Sequence, residues 1–484
     1  MADRLERWLE QNERAIVISL LVLFAAVSVL RAATLRFWFD ELITVYLSRA
    51  SLGELWSAML DGTEQQAFLA SLIFRPFAST TLWPEVVARI PSIAGYVAML
   101  GGIYAFARYR WSATVSLIAM LAPCLTRSVD YAQEARSYAL AMGLCAWALV
   151  CWQRSASEPR RRPWLLGLWF TLSAAILCHY FAVLMLVPLV IAELFRRKVD
   201  LPLWSALACS VLPLASMWNV IAAVRQATVH HWSHPAWAQW HQFYSELPHV
   251  YTYVLLALIA WRIPYARRAR AMTPVWEVAA IVMLAAVPLV GLAVGVLVTH
   301  VYTWRFVEFA VVGLALLIAG VVERGTRSAW DRVLIAVIVI GGGVVAPLGV
   351  VSWRAALGNR PARFAPILPE LAPKPIVVAD ALAFLELQHY APAELRPRVV
   401  YLADLPTALA VTGTDSADLS LVGLSKRGVP LEVVSPDQIK FNQAWLLGSP
   451  DSTAAQSLRS RGFQLRSTAN VGVLDATRTF SQIH

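Results

Sequence analysis

The chain has 484 residues, of which 58% are hydrophobic and only 15% are charged. This composition excludes an ordinary water-soluble globule and indicates a polytopic α-helical membrane protein. The net charge of +10 lies largely in short basic clusters between apolar runs, such as PRRRP (159–163) and ARRARA (266–271). Such clusters indicate membrane topology, and they argue against nucleic acid as a partner.

Eleven apolar runs are predicted to cross the membrane, since a helix needs about 20 apolar residues, or somewhat fewer where the bilayer is thin, to do so. They lie near residues 15–33, 89–107, 112–126, 137–152, 164–178, 181–195, 202–224, 249–263, 275–298, 306–322 and 333–353.

The positions of arginine and lysine predict the orientation of these spans. Basic residues precede the first span and follow every even-numbered one, and short loops rich in them stay in the cytoplasm. The amino terminus is therefore predicted to be cytoplasmic and the carboxy terminus extracytoplasmic. The short runs 164–178 and 181–195 count as two spans, because merging them would put the later basic loops outside.

Two segments outside the spans have a character of their own. Within the long outer segment 34–88, LSRASLGELWSAML (47–60) and QQAFLASLIFRPF (65–77) predict amphipathic interfacial helices. From about residue 356, the strand-like runs PIVVAD, RVVYLAD, PLEVVS, QAWLLGS and GVLDA are interspersed with the helix-like runs ADALAFLELQHY and STAAQSLRSRGF. We therefore predict a transmembrane domain over 1–355 and an extracytoplasmic α/β domain over 356–484.

Two adjacent carboxylates, Asp40 and Glu41, follow the first span in RFWFDELITVY (36–46). A carboxylate facing lipid is costly, so this pair should lie in a cavity or at an interface, where ionisable groups are functional candidates. The alternative is that both residues cap the helix that begins there, because acidic side chains favour a helix amino terminus. The residues alone leave both interpretations open.

The second outer loop, RSVDYAQEARSYAL (127–140), contains Arg127, Asp130, Glu134 and Arg136. Guanidinium groups at the membrane boundary can bind phosphate oxygens with paired hydrogen bonds. An internal ion-pair set among the acidic residues and Arg136 explains the same spacing equally well.

Two further outer segments contain polar and aromatic residues. His179 and Tyr180 mark the turn between spans five and six, where a packed hydrogen-bonding pair is favoured over a ligand-binding pair. THVYTWRF (299–306) adds His300 and Arg305; the arginine either extends toward the interface or holds an anionic lipid head.

Metal-binding candidates are few. The loop 225–249 has five histidines and three tryptophans, but HHxxH without a nearby carboxylate is not a site of known geometry, so an interfacial aromatic belt is favoured. Glu64 is an isolated candidate for binding a cation.

Taken in chain order, these features resemble the GT-C glycosyltransferases, in particular the group of dolichyl-phosphate-mannose protein mannosyltransferases and aminoarabinose transferases. The resemblance rests on the Asp-Glu pair after the first span, the interfacial helices, ARIPS (88–92), YAQEARSYAL (131–140), HYF (179–181) and the Trp-Arg-Phe at 304–306.

The resemblance implies a polyprenyl-phosphate sugar as donor, an outward-facing cavity and inversion at the anomeric carbon. It gives Asp40 the role of the catalytic aspartate, with Glu41 as its neighbour, and it places any divalent metal at Glu64. The candidate set for the donor and its phosphate is Arg127, Asp130, Glu134, Arg136, Tyr138, His179, Tyr180, His300 and Arg305.

The expected function is sugar transfer to a hydroxyl or phosphate of a lipid, glycan or protein acceptor, at the outer face of a bacterial inner membrane. Where many relatives have a His-Pro-Pro-Leu type segment, this chain has EQQAFLAS (64–71), so the acceptor and the metal are left open. The alternative function is a lipid or solute transporter or flippase. Ionisable groups concentrated at the outer ends of the spans favour surface chemistry over passage.

Overall fold

A computed structural model of the chain describes residues 2–227, 230–248, 273–325, 329–342, 373–468 and 472–478, with a few positions between 252 and 260. The chain forms two compact units. The helical unit comprises Met1–Leu35, Gln66–Trp218 and His234–Ala356. The mixed unit comprises Arg36–Gln65, Asn219–Ser233 and Leu357–His484, so the segment with Asp40 groups with the carboxy-terminal residues.

Helices account for most of the described residues. In chain order the α-helices are α1 (Ala2–Gln11), α2 (Glu13–Ala32), α3 (Phe39–Leu47), α4 (Leu52–Leu60), α5 (Phe68–Ala78), α6 (Pro84–Val87), α7 (Ile90–Arg108), α8 (Ala113–Leu121), α9 (Tyr138–Ser157), α10 (Arg162–Cys178), α11 (Leu186–Arg196), α12 (Leu201–Cys209), α13 (Leu212–Ser216), α14 (Trp218–Ala227), α15 (Gln242–Glu246), α16 (Val275–Val294), α17 (Ala310–Gly325), α18 (Ala329–Ile340), α19 (Ala381–Tyr390), α20 (Leu405–Thr412), α21 (Ser416–Lys426) and α22 (Thr453–Ser460).

Short helical turns connect several of these helices. The 3₁₀ turns of the helical unit are Ala122–Leu125, Arg127–Gln133, Tyr180–Met185, Trp237–His241 and Trp304–Val307, and a π-helical turn covers Gly295–Thr299.

Some of the predicted spans are long and apolar enough to cross a membrane. Among the described residues three helical stretches meet this condition: Glu13–Ala32, Pro84–Arg108 and Val275–Thr299. A fourth is reached if Arg127–Gln133 and Tyr138–Ser157, which are bent by 112°, form one broken span. These stretches support an integral membrane protein, while the total of eleven spans stays a prediction. More than half of the predicted span 249–263 lies outside the described residues, and 333–353 does so in part.

Among the described residues, α7 and α9 pack closely against each other, and glycine makes this packing possible. A Cβ atom on Gly95 would lie 2.7 Å from the backbone carbon and oxygen of Ala139, and one on Gly143 would collide with the carbonyl oxygen of Gly95. Small residues allow backbones to approach in this way, and dispersion contacts then hold the helices together in lipid. Gly101, also on α7, has no atom within 4 Å of its Cβ position.

The mixed unit contains a six-stranded sheet in the order β3-β2-β1-β4-β6-β5. The four strands β1 to β4 pair in parallel, whereas β6 is antiparallel to β4 and β5. The strands are β1 (Ile376–Val378), β2 (Val399–Leu402), β3 (Val433–Val434), β4 (Gln443–Leu447), β5 (Phe463–Ser467) and β6 (Val473–Arg478).

The predicted α/β architecture of this part is confirmed, although helices α20 and α21 and strand β5 were not predicted. Each of the five predicted strands is present, and ADALAFLELQHY contains helix α19. STAAQSLRSRGF was expected to be helical throughout, but α22 ends at Ser460 and β5 begins at Phe463. Gly462, with φ of +83°, reverses the chain there, because glycine adopts that conformation without steric cost.

The packing of α7 against α9 predicts the effect of adding one methyl group. We expect Gly95→Ala to lower the melting temperature of the detergent-solubilised protein, because α9 must move away from α7. Gly101→Ala is the matched control on the same helix, and it should leave the melting temperature equal or slightly higher, since alanine favours helix by up to about 1 kcal/mol. Equal effects of the two changes would contradict this account of the packing.

Candidate functional site

Aromatic rings bring together the second outer loop, HYF and the Trp-Arg-Phe segment within the helical unit. The ring of Tyr138 lies 5.0 Å from that of Tyr131 and 5.4 Å from that of His179. His179 in turn lies 5.8 Å from Phe306, and Tyr131 lies 6.4 Å from Trp304. Three segments that the sequence singled out separately are therefore neighbours.

The ARIPS segment holds the backbone around these rings. The side chain of Arg89 is almost fully buried, and its Nη1 donates to the carbonyls of Ala32 at 2.9 Å and Leu35 at 2.7 Å. The hydroxyl of Ser92 donates to the carbonyls of Glu134 and Arg136. Two residues at the start of α7 thus fix both the end of α2 and the backbone that carries Glu134 and Arg136.

Histidine 179 begins the break between α10 and the following 3₁₀ turn. Its Nδ1 is buried and has no hydrogen bond within the described part of the chain. Burial, together with the nearby charge of Arg136, lowers the pKa of His179 to about 4. The imidazole is therefore neutral at physiological pH, where it can accept or donate one hydrogen bond but cannot supply a positive charge.

Charged groups surround Tyr131 on the same side of the ring cluster. Glu134, Arg305 and Glu308 all act electrostatically on Tyr131, and Glu134 and Arg305 also act on Glu308. The candidate residues Glu134 and Arg305 therefore act on the same two side chains, those of Tyr131 and Glu308, although they are far apart in sequence.

Glu308 is the residue that the sequence analysis missed. Its side chain is 2% exposed; the hydroxyl of Tyr131 interacts with its carboxylate, but neither carboxylate oxygen has a well-aligned hydrogen bond from a described residue. The contrast is Glu277 on α16, which is fully buried but accepts hydrogen bonds from Arg110 and Gln153. The sequence does indicate Glu308 as a candidate, because it is a carboxylate inside the apolar run WRFVEFAVV, and ionisable groups in such runs are functional candidates.

Several of the predicted site residues differ from these in their contacts or exposure. Arg127 pairs with Glu246 at 3.3 Å, and both side chains are largely exposed. Asp130 pairs with Arg31 of α2 at 2.5 Å. His300 is exposed at the end of the π-helical turn, with φ of +59°. Tyr180 is half-buried beside His179.

The acidic pair lies in the mixed unit, at the start of α3. Trp38 is the residue before the helix, and its backbone N–H donates to Oε2 of Glu41 at 3.1 Å. Glu41 is 2% exposed and thus performs the capping role that the sequence offered as one alternative. Asp40 is half-buried in the first turn, and its carbonyl accepts from the hydroxyl of Thr44 at 3.1 Å.

Glu64, also in the mixed unit, is 2% exposed, and its backbone N–H donates to Ala58 at 3.0 Å. Among the described residues no group of three or more histidine, cysteine, aspartate or glutamate side chains is arranged to hold a metal ion. This applies to the described histidines of the loop 225–249 as well, while His249 lies outside the described residues. Metal binding at Glu64 stays a prediction.

Two solved structures share the fold. One is the crystal structure of ArnT from Cupriavidus metallidurans in the apo state, at 14% identity and a TM-score of 0.59, covering 95% of this chain and 97% of that chain. The other is ArnT from Cupriavidus metallidurans bound to undecaprenyl phosphate, at 15% identity and a TM-score of 0.58, covering 96% and 98%.

No protein-family model and no curated protein sequence matches the chain. At such low identity the likeness to ArnT shows the fold alone. It confirms the predicted resemblance to the aminoarabinose transferase group of GT-C glycosyltransferases at the level of the fold.

The burial of Glu308 predicts that this residue lowers the stability of the protein. We expect Glu308→Met to raise the free energy of unfolding by about 1–3 kcal/mol, because an apolar side chain of similar length removes a desolvated carboxylate. Glu277→Met is the matched control, and it should lower the free energy of unfolding, because Arg110 loses its buried partner. Thermal unfolding of both variants in detergent measures the change in stability. A less stable Glu308→Met protein would mean that the carboxylate makes stabilising contacts.

The lowered pKa of His179 predicts a dependence of stability on pH. The ordinary histidine pKa is about 6.5, so between pH 7 and about 4 the unfolded chain binds a proton that the folded chain does not. Stability should therefore fall as the pH decreases through this range, and His179→Gln should make the fall shallower. Melting temperatures of the two proteins at several pH values provide the test, and parallel curves would contradict the assignment.

Proposed function

We propose that the chain is a membrane glycosyltransferase of the GT-C type, which transfers a sugar from a polyprenyl phosphate to an acceptor hydroxyl or phosphate. The observation that carries the proposal is the fold shared over nearly the whole chain with ArnT, whose crystal structure holds undecaprenyl phosphate. The acidic first outer segment and the basic and aromatic residues of the ring cluster provide the chemical groups that such a reaction needs.

The cationic residues of the helical unit support a role in binding the lipid phosphate. When the bond between the anomeric carbon and the phosphate oxygen breaks, its electron pair stays on that oxygen, and the leaving lipid phosphate gains negative charge. A guanidinium placed nearby stabilises this charge as it develops. Arg305 and Arg136 are the candidates, because both lie beside the ring cluster, whereas Arg127 is paired at the surface.

The acidic pair supports a role in activating the acceptor. In this scheme the Asp40 carboxylate takes the proton of the acceptor hydroxyl, and the acceptor oxygen attacks the anomeric carbon from the side opposite to the phosphate. The result is inversion, with the proton on Asp40. Glu41 is engaged with the Trp38 backbone, which makes it a support for the helix and leaves Asp40 as the base.

The membrane arrangement follows the same proposal. Eleven spans, a cytoplasmic amino terminus and a carboxy-terminal α/β domain outside the bacterial inner membrane would put Asp40 on the outer face. A lipid-linked sugar keeps its reactive phosphate in the headgroup layer there, so the enzyme has to act at that level. A divalent metal at Glu64 forms no part of the scheme.

The assignment of Asp40 as the base predicts a selective loss of turnover. We expect Asp40→Asn to lower kcat by about 100- to 10,000-fold, the usual contribution of a positioned base, with little change in the KM for the lipid donor. Release of undecaprenyl phosphate from a panel of undecaprenyl-phosphate sugars, with acceptors present, provides the measurement.

Glu41→Gln is the control, since it makes the same change from carboxyl to amide one residue later. Its side-chain oxygen can still accept from the Trp38 N–H, so we expect a much smaller loss than for Asp40→Asn. Near-normal transfer by Asp40→Asn would exclude the base assignment. Donor binding without release of lipid phosphate by the unaltered protein, for every sugar and acceptor tried, would favour the transporter alternative.

A further inference from the structure

We propose that the carboxy-terminal α/β residues of the mixed unit position the Asp40 helix, by anchoring the segment Arg36–Gln65 at both of its ends. Within this unit the carboxy-terminal residues contact the start of the segment and its last turn. This inference rests on the proposed function, since it gives a purpose to the location of Asp40. It assigns no role in the chemistry to the anchoring residues.

The first anchor holds the residues just before α3. The backbone N–H of Phe37 donates to the hydroxyl of Tyr390, the last residue of α19, at 2.9 Å. The guanidinium of Arg36 lies 4.9 Å from the centre of the Tyr390 ring. His389 packs edge-on against Phe37 at 5.8 Å and against Tyr46 at 6.1 Å, so α19 contacts both ends of α3.

The first anchor bears directly on the geometry of Asp40. Phe37 is fully buried and lies three residues before Asp40, and the cap between Trp38 and Glu41 fixes the backbone in between. A hydrogen bond to the Phe37 N–H therefore restricts the position at which α3 begins. A base must stand within hydrogen-bond distance of the proton that it removes, so small displacements of α3 reduce turnover.

The second anchor holds the end of the segment beyond α4. Arg427 donates from Nη2 to Asp61 at 2.5 Å and from Nη1 to the hydroxyl of Thr63 at 3.2 Å. It also reaches the backbone carbonyl of Glu54 at 3.3 Å. The hydroxyl of Ser57 also accepts from Arg427, at 3.3 Å. Charge-assisted hydrogen bonds of this kind are among the stronger ones, and four acceptors in the segment define the position of the guanidinium.

A glycine on α21 confirms how closely the second anchor fits. A Cβ atom on Gly423 would overlap the hydroxyl oxygen of Thr63. Arg427 also donates to the carbonyl of Gly423 at 2.8 Å, so α21, its terminal arginine and the segment form one packed contact. The side chain of Arg427 is only 8% exposed, whereas that of Asp61 is 49% exposed, so the fit of Arg427 against the segment, more than the ion pair alone, defines this contact.

The test compares two tyrosines of the carboxy-terminal residues. Tyr390→Phe removes the hydroxyl that accepts from Phe37 but keeps the ring, and we expect kcat to fall about fivefold with an unchanged KM for the lipid donor. Tyr401→Phe is the matched control, because its hydroxyl donates to Asp418 at 3.3 Å and makes no hydrogen bond to a described residue of Arg36–Gln65. That variant should retain the parental kcat.

A second measurement is independent of the reaction. Hydrogen–deuterium exchange of the full-length protein should be faster in residues 36–47 for Tyr390→Phe, and faster in residues 54–64 for Arg427→Met, than in the parent or in Tyr401→Phe. Unchanged exchange and unchanged kcat in Tyr390→Phe would overturn the proposal, and so would an equal loss of kcat in Tyr401→Phe. If the anchors alter exchange while Asp40→Asn keeps full activity, the anchoring stands and the base assignment fails.

Discussion

The outer end of the helical unit depends on the hydrogen bonds that the buried guanidinium of Arg89 donates. The last carbonyls of an α-helix have no partner within the helix, and in a dry environment each unpaired group costs free energy. Arg89 supplies donors to Ala32 and Leu35, where α2 ends. This contact therefore fixes the end of α2 within the helical unit.

Polar contacts to the backbone also organise the second outer loop, together with the ion pairs of Arg127 and Asp130. The hydroxyl of Ser92 donates to the carbonyls of Glu134 and Arg136, and so holds the backbone that carries both charged side chains. Glu308 lies nearby in a position that a protein selected only for stability would fill with an apolar residue. Stability is commonly given up in this way where function requires it, which is the physical reason to include Glu308 in the candidate site.

Local sequence patterns were sufficient for the strands, since buried parallel strands are short runs of valine, leucine and isoleucine. They failed for β5, where only Phe463 is well buried and the following residues alternate without a strong apolar face. Patterns also could not group Arg36–Gln65 with the carboxy-terminal residues, because that grouping depends on contacts such as Phe37 to Tyr390 across more than 350 positions. The sequence motifs were sufficient to identify the candidate residues. Only the tertiary contacts showed which of them belong to the ring cluster and which lie outside it.

The acid pair shows why two neighbouring carboxylates need not share one role. Asp40 and Glu41 follow each other in the first turn of α3, so their side chains point about 100° apart around the helix axis. The second of them can turn back to the Trp38 N–H, and it is buried in doing so. Asp40 cannot make that contact from its position, and it remains half-buried. The capping and catalytic interpretations of the motif are therefore compatible, with one carboxylate fixing the helix that presents the other.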